Sequence, residues 1–157
     1  MTMEVWAWLA LAAYTLHIME EFTLDWRNWA RSVLGLPVEW NDFYITNAAV
    51  IILGFIQAQL ANSYPIVPLS FAALMLINAV VFHILPVVAT KNRFSPGTIT
   101  AVLLFFPIAI GMYRFAAAHG MLTRGVLLGS MLGGAALMAY PILLLRLKGL
   151  PYFRQAP

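Results

Sequence analysis

Five apolar segments, each about twenty residues long, are the feature that most limits how this chain can fold. They lie at roughly 3–24, 43–61, 66–90, 96–118 and 122–145. A helix that crosses a bilayer needs about 20 mostly apolar residues, so each segment is long enough to span. Charged residues make up 10% of the chain, against about 25% in a soluble domain. The sequence therefore predicts an all-α fold: one polytopic transmembrane bundle over residues 1–157, with about five spans in contact with membrane lipid.

The connection at residues 25–41 is too polar to span, but it is rich in tryptophan. Its indole rings belong to Trp26, Trp29 and Trp40. Tryptophan favours the headgroup layer, where the ring is half buried and its N–H stays hydrated. We therefore predict a short interfacial helix at residues 26–34, ended by Gly35 and Pro37.

The distribution of lysine and arginine predicts the orientation in a cell membrane. Five crossings place Arg27, Arg31, Lys91, Arg93, Arg146, Lys148 and Arg154 on one side, and Arg114 and Arg124 on the other. Because cytoplasmic loops are richer in basic residues, we expect the N-terminus outside and the C-terminus in the cytoplasm. The net charge is only +3 and the basic residues are scattered, which argues against a nucleic-acid partner.

This topology brings the polar residues of four segments to one layer near the cytoplasmic face. From His17, Glu20 lies three residues on and Glu21 four, so both carboxylates share a helical face with the imidazole. His83, on the third segment, supplies a second imidazole at the same depth. Zinc, iron and manganese accept this mixture of nitrogen and oxygen ligands.

The prediction is therefore a divalent-metal site, zinc or iron above all, formed by the four residues His17, Glu20, Glu21 and His83. The expected supporting residues are Asn47, Asn78 and Thr100. Asn78 fits less well. His83 follows it by five residues, which places the two side chains about 140° apart around a regular α-helix. If the site is catalytic, Glu20 or Glu21 is the candidate proton carrier, and a lipid-phase or amphipathic substrate is expected.

Other interpretations of the same residues remain open at this point. Glu20 and Glu21 could lie in the headgroup layer beside Arg27 and Arg31, leaving His17 as an ordinary hydrogen-bonding group between helices. Haem bound by two histidines, a small proton-coupled transporter and a non-catalytic scaffold are further alternatives.

Three local patterns predict how the helices begin, bend and associate. Gly125, Gly129 and Gly133 form a small-residue stripe that suits packing within the chain or a homo-oligomer. Ser95-Pro96 has the pattern of a helix start, with serine as N-cap. Pro86 should kink the third span and free the carbonyl of Phe82.

The motif His17-Ile18-Met19-Glu20-Glu21 resembles the one that names the HXXEE-domain family of bacterial integral membrane proteins. That family also has a second histidine, here His83, and a Tyr-x-Pro-Gly element. The element stands here as Phe94-Ser95-Pro96-Gly97, with phenylalanine in place of tyrosine. The resemblance covers roughly residues 6–145, and it implies an inner-membrane protein that binds a metal or haem, without supplying a reaction.

Overall fold

The computed structural model describes residues 1–153, and regular structure over that range is helical throughout. This confirms the all-α prediction. We number the six main helices α1 (Met3–Thr23), α2 (Trp26–Trp29), α3 (Trp40–Leu60), α4 (Ile66–Ala89), α5 (Thr98–Ala118) and α6 (Arg124–Gly149). A 3-10 turn follows at Pro151–Phe153. Arg154, counted among the basic residues above, lies outside the described residues.

Four helices, α3 to α6, are long and apolar enough to cross a membrane. They correspond to the second to fifth predicted segments, with similar ends. Helix α1 has 21 residues, but Glu4, His17, Glu20 and Glu21 make it more polar than the other four. The chain is therefore a helical bundle with four candidate spans, and the crossing of α1 remains a prediction.

Helix α4 lies at the centre of the bundle, where it contacts α1, α3, α5 and α6. Glycines on α6 allow the closest of these approaches. A Cβ at Gly134 would lie 2.5 Å from the Cβ of Ala73 and 2.7 Å from the backbone nitrogen of Leu74. Gly129 and Gly133 face Ile66 and Ser70 of the same helix. These two stripe glycines thus pack within the chain, while an oligomer through Gly125, Gly129 and Gly133 stays a prediction.

Helices α4 and α5 each contain one wider, π-helical turn. In α4 this turn covers Ala79–Ile84, shortly before Pro86, and in α5 it covers Ala101–Phe105, shortly before Pro107. Pro86 has no N–H to donate to the Phe82 carbonyl. That carbonyl instead accepts a hydrogen bond from the Ser95 hydroxyl at 3.3 Å. Ser95 thus replaces the helical donor that the Phe82 carbonyl lacks, and the predicted kink at Pro86 stays a prediction.

The predicted start of α5 at Ser95 and Pro96 is wrong by two residues. The helix begins at Thr98, with Gly97 as the N-cap in a left-handed conformation. Ser95 is fully buried, and its side chain points to α4 instead of capping its own helix. The reason is that the N-terminal amides of α5 find another acceptor, described below.

The segment between α1 and α3 forms the predicted short helix, α2, which continues as a π-helical turn at Ala30–Leu34 and ends at Gly35. Its arginines do not pair with the glutamates of α1. Arg27 and Arg31 both bind Glu39, and the hydrogen bond from Arg27 is the main cause that lowers the pKa of Glu39 below its usual value. Among the described residues neither Glu20 nor Glu21 pairs with these arginines, and the depth of the two glutamates in the membrane stays a prediction.

Several basic residues predicted to share a side do lie at one end of the bundle. Arg93 donates to Ser32 at 3.3 Å, and Lys148 binds Asp42 at 2.8 Å. These contacts join two separate connections, and they join the start of α3 to the end of α6. Which face of the membrane this end meets stays a prediction.

Candidate metal centre

His17, on α1, is fully buried, and its hydrogen bonds fix which ring nitrogen carries the proton. Nδ1 lies 2.8 Å from the hydroxyl of Thr100. That hydroxyl donates its only proton to a carboxylate oxygen of Glu20 at 2.6 Å. Because an ionised carboxylate only accepts, the hydroxyl must accept from Nδ1–H, and Nε2 keeps its lone pair. His17 is thus held in the tautomer that a metal ligand requires.

The Nε2 atom of His17 is buried and has no hydrogen-bond partner among the described residues. It faces Oε1 of Glu21 across 3.5 Å. Both atoms are acceptors in this state, so they repel each other unless a proton or a cation lies between them. A buried polar atom without a partner is costly, which makes such an atom a sign of an absent ligand.

His83 lies on the other side of the same carboxylate. Its Nε2 is also 3.5 Å from Oε1 of Glu21, and its Nδ1 is 3.1 Å from the Ser95 hydroxyl. When Ser95 donates to the Phe82 carbonyl, it accepts from Nδ1–H, and the lone pair of Nε2 can bind a cation. In the other tautomer Nε2–H donates to the Asn78 amide oxygen at 3.1 Å, so cation binding requires the first tautomer. His17 and His83 therefore have matched environments, each with a hydroxyl behind the ring and Glu21 in front.

Asn78, predicted as a supporting residue that fits less well, lies directly beside His83. Its amide oxygen lies 3.1 Å from Nε2 of His83. The prediction assumed a regular α-helix, whereas the π-helical turn at Ala79–Ile84 brings residues five apart onto one face. The extra residue in this turn is what aligns Asn78 with His83.

One ligand atom from each of His17, Glu21 and His83 lies within 4.8 Å of the other two. We call these three residues the His–Glu–His group. Ligands about 2.1 Å from a tetrahedral zinc lie about 3.4 Å apart, close to the 3.5 Å between the carboxylate and each imidazole. The donor set and the two spacings to the carboxylate thus suit a small divalent cation with three protein ligands.

Glu20, the fourth predicted ligand, is directed away from this group and binds the start of α5. One oxygen accepts from the amides of Gly97 and Ile99 at 3.0 and 3.1 Å. The other accepts from the amide and hydroxyl of Thr100 at 2.8 and 2.6 Å. We call this arrangement the Glu20 clamp. It caps α5 from a different helix and places negative charge at the positive end of the helix dipole.

Gly97 packs directly against both imidazoles. A Cβ at this position would lie 2.4 Å from Cε1 of His83 and 2.7 Å from Cε1 of His17. Its φ of +96° also lies in the region that favours glycine. The Pro-Gly element is therefore the wall that holds the two rings in place. Phe94, which stands where the element has tyrosine, is 46% exposed and lies outside this wall.

A small chamber of about 80 Å³ borders the group. Glu21 and Asn78 line it from one side, together with Tyr14 and the predicted supporting residue Asn47. Apolar residues of α6 close the other side. Glu21 is 6% exposed while the histidines are fully buried, so the carboxylate forms the contact between the group and the chamber.

A comparison of the sequence with protein-family models identifies the family of this chain. The family model described as "Protein of unknown function with HXXEE motif" matches residues 8–112. The chain belongs to this family. The matched region is shorter than the predicted 6–145 and ends before α6, but it contains the motif, His83 and Pro96-Gly97. The chain has no detectable similarity to a curated protein or to a solved structure.

Sequence reasoning missed Ser95 and Gly97 as parts of the site. Ser95 was assigned to a helix cap and Gly97 to the family element alone. A signal for Ser95 was present: Pro86 leaves the Phe82 carbonyl without its helical donor, beside His83, so a neighbouring hydroxyl was to be expected there. The contact of Gly97 with both rings depends on how three helices meet, and spacing along the chain does not contain it.

Proposed function

We propose that His17, Glu21 and His83 bind one divalent cation, zinc or iron, and that this centre serves a membrane enzyme acting on a lipid-phase substrate. One observation carries the proposal: the buried, unpartnered Nε2 of His17 faces the Glu21 carboxylate that His83 also faces. Two imidazoles and one carboxylate also make up known catalytic zinc sites, which leave a further position open.

Charge balance supports the same assignment. Glu21 is 6% exposed, and burying an ionised carboxylate without a partner is strongly unfavourable. No lysine or arginine of the described residues is paired with Glu21, whereas Arg27, Arg31 and Lys148 pair with other carboxylates. A bound dication removes this cost and leaves the group with one net positive charge.

Haem is the less suitable ligand for these histidines. Two axial histidines must lie on opposite faces of the macrocycle, with its plane between them. The ring centroids of His17 and His83 are 4.8 Å apart at an interplanar angle of 85°, so the edge of one ring meets the other. Gly97 and Phe105 fill the space around them.

The bound cation would act as a Lewis acid and lower the pKa of a bound water. Of the two candidate proton carriers, Glu21 fits and Glu20 does not. Both oxygens of Glu20 already accept hydrogen bonds from α5, whereas Glu21 borders the chamber. Because Oε1 of Glu21 faces both imidazoles, a proton would be carried on its other oxygen, and the apolar residues of α6 would limit the access of bulk water. With an inner-membrane location and the N-terminus outside, the centre lies near the cytoplasmic face.

The test is the metal content of detergent-purified protein. We expect about one zinc or iron per chain in the wild type, and near-zero metal in His17→Ala and His83→Ala. His119→Ala is the matched control, because His119 is an exposed histidine at the end of α5. Equal, near-zero metal in all four proteins would contradict the proposal, and a Soret band in the wild type would replace it with haem.

A further inference from the structure

An apolar cleft of about 710 Å³ lies between α3 and α6. Ala49 and Leu53 line it from α3, and Ala136 and Leu137 line it from α6. Both helices are candidate membrane spans, so the space outside the cleft is the hydrocarbon of the bilayer. We call this space the lateral cleft.

The lateral cleft adjoins the chamber beside the His–Glu–His group. Tyr14, Thr46, Met138 and Pro141 line both spaces. A molecule in the cleft can therefore extend from the lipid-facing side of the bundle toward Glu21. The two ends of this path differ in chemistry, since the cleft is apolar and the inner end carries Glu21, Asn47 and Asn78.

The cleft stays open because α6 packs mainly against α4 and contacts α3 much less. Close contact of Gly133 and Gly134 with α4 holds α6 on that side of the bundle. Gly133 and Ala136 of α6 line the cleft. Glycine has no side chain and alanine has only a methyl group, so these residues do not fill the gap. The opening therefore follows from the same glycines that fix α6 in place.

We propose that the lateral cleft binds the hydrocarbon chain of a fatty acid, with its carboxylate in the chamber beside Glu21 and Asn78. This inference rests on the proposed metal centre. With the cation bound and Glu21 ionised, the group carries one net positive charge, which attracts an anionic head group. Asp42, the other carboxylate lining the chamber, is neutralised by Lys148 at 2.8 Å.

The chamber has room for a carboxylate head group. A water-sized group needs about 10–15 Å³ of such space, so about 80 Å³ holds on the order of six of them. A carboxylate and its first methylenes fit within this volume, and the rest of the hydrocarbon chain would lie in the lateral cleft.

The experiment uses the metal-loaded protein in lipid nanodiscs with a photoactivatable palmitate. We expect cross-links at Ala49, Leu53 and Leu137 that excess palmitate prevents and excess butyrate does not. Ala136→Phe fills the cleft and should lower the cross-link yield about tenfold, which corresponds to 1.4 kcal/mol of binding. Ala135→Phe is the matched control, because Ala135 is the neighbouring exposed residue and does not line the cleft. Ala49→Phe repeats the test from α3.

Metal content, measured in every sample, separates this inference from the proposed function. Wild-type metal in Ala136→Phe together with lost palmitate cross-links supports both. A second outcome is that the wild type binds metal, but the cross-links are spread evenly over the exposed faces or are equal in Ala136→Phe and Ala135→Phe. This outcome contradicts the cleft proposal and leaves the metal-centre proposal unchanged. The cleft proposal is also contradicted if nanodisc phospholipid displaces palmitate from the cleft, or if the cleft residues cross-link to a second copy of the chain. Palmitate bound without metal in the wild type overturns the metal centre and the carboxylate contact.

Discussion

The Glu20 clamp and the His–Glu–His group lie on either side of the end of α1, and they use adjacent glutamates in opposite ways. Glu20 accepts four hydrogen bonds from the start of α5. Glu21 faces two imidazole nitrogens across 3.5 Å and has no such donors. The two side chains have the same chemistry and differ only in what α4 and α5 place near them. A carboxylate whose acceptors are filled holds the fold together, whereas one whose acceptors are free can hold a ligand.

The largest expected effect comes from Gly97, which binds Glu20 through its amide and packs against both imidazoles. Gly97→Ala puts a Cβ 2.4 Å from His83 and 2.7 Å from His17, at a φ of +96°. We expect no bound metal and a protein that unfolds at lower temperature than the wild type. Metal analysis and thermal unfolding in detergent test this, with Gly120→Ala as the control, because that glycine also has positive φ but nothing within 4 Å. Normal metal content in Gly97→Ala would show that the rings are not held as described.

The next largest effect separates the two glutamates. Glu21→Gln removes a charged ligand, and we expect metal affinity to fall at least 100-fold. We expect the metal-free protein to become more stable, because a buried charge without a partner is removed. Competition with a calibrated chelator measures the affinity. Unchanged affinity would exclude Glu21 as a ligand.

A smaller effect is expected from the hydroxyl that joins the two regions. Thr100→Val keeps the shape but removes the oxygen that accepts from Nδ1 of His17. Loss of such an outer partner typically costs 10–100-fold in metal affinity. Thr98→Val is the control, since its hydroxyl bonds only to the Ser95 carbonyl at 2.6 Å among the described contacts. Equal affinity in the two variants would contradict the assigned tautomer.

Glu20→Gln should affect stability more than metal binding. The glutamine oxygen can still accept from Thr100, but its amide group meets the backbone donors of Gly97 and Ile99. Loss of a helix cap costs about 0.5–2 kcal/mol, so we expect a decrease of that size in the free energy of unfolding. Denaturant titration measures it. A loss of metal as large as in Glu21→Gln would show that the two glutamates act together.

The smallest effect is expected at Phe94. Restoring the tyrosine of the family element, Phe94→Tyr, adds a hydroxyl to a side chain that is 46% exposed. We expect unchanged metal content and unchanged stability. A clear gain in metal affinity would place this position inside the site.

The sequence predicts the fold well because a membrane limits the possible structures. Apolar length alone located α3 to α6, and their ends differ from the predicted ones by a few residues. Helix α1 was harder to classify, because the site needs polar residues that lower its hydropathy.

The candidate site was predictable in its residues and not in their roles. The spacing of His17, Glu20 and Glu21 puts both carboxylates near the imidazole, and only the position of α5 decides which one caps a helix. The start of α5 was misplaced for the same reason: its amides are satisfied by Glu20, so Ser95 is free to bind His83. Asn78 was misjudged because a π-helical turn has no clear sequence pattern of its own.

The wider turn in α4 limits which sequence changes keep the site intact. It winds one more residue than a regular turn, so everything beyond Ile84 is rotated by about 100° relative to an uninterrupted helix. A regular α-helix with the same residues would place the second histidine about 140° from its asparagine, whereas deleting one residue between positions 79 and 82 would leave the pair four residues apart, about 40° around the helix and still on one face. Either the wider turn or a spacing of four residues keeps the pair aligned, so the winding of this stretch is itself part of the binding site.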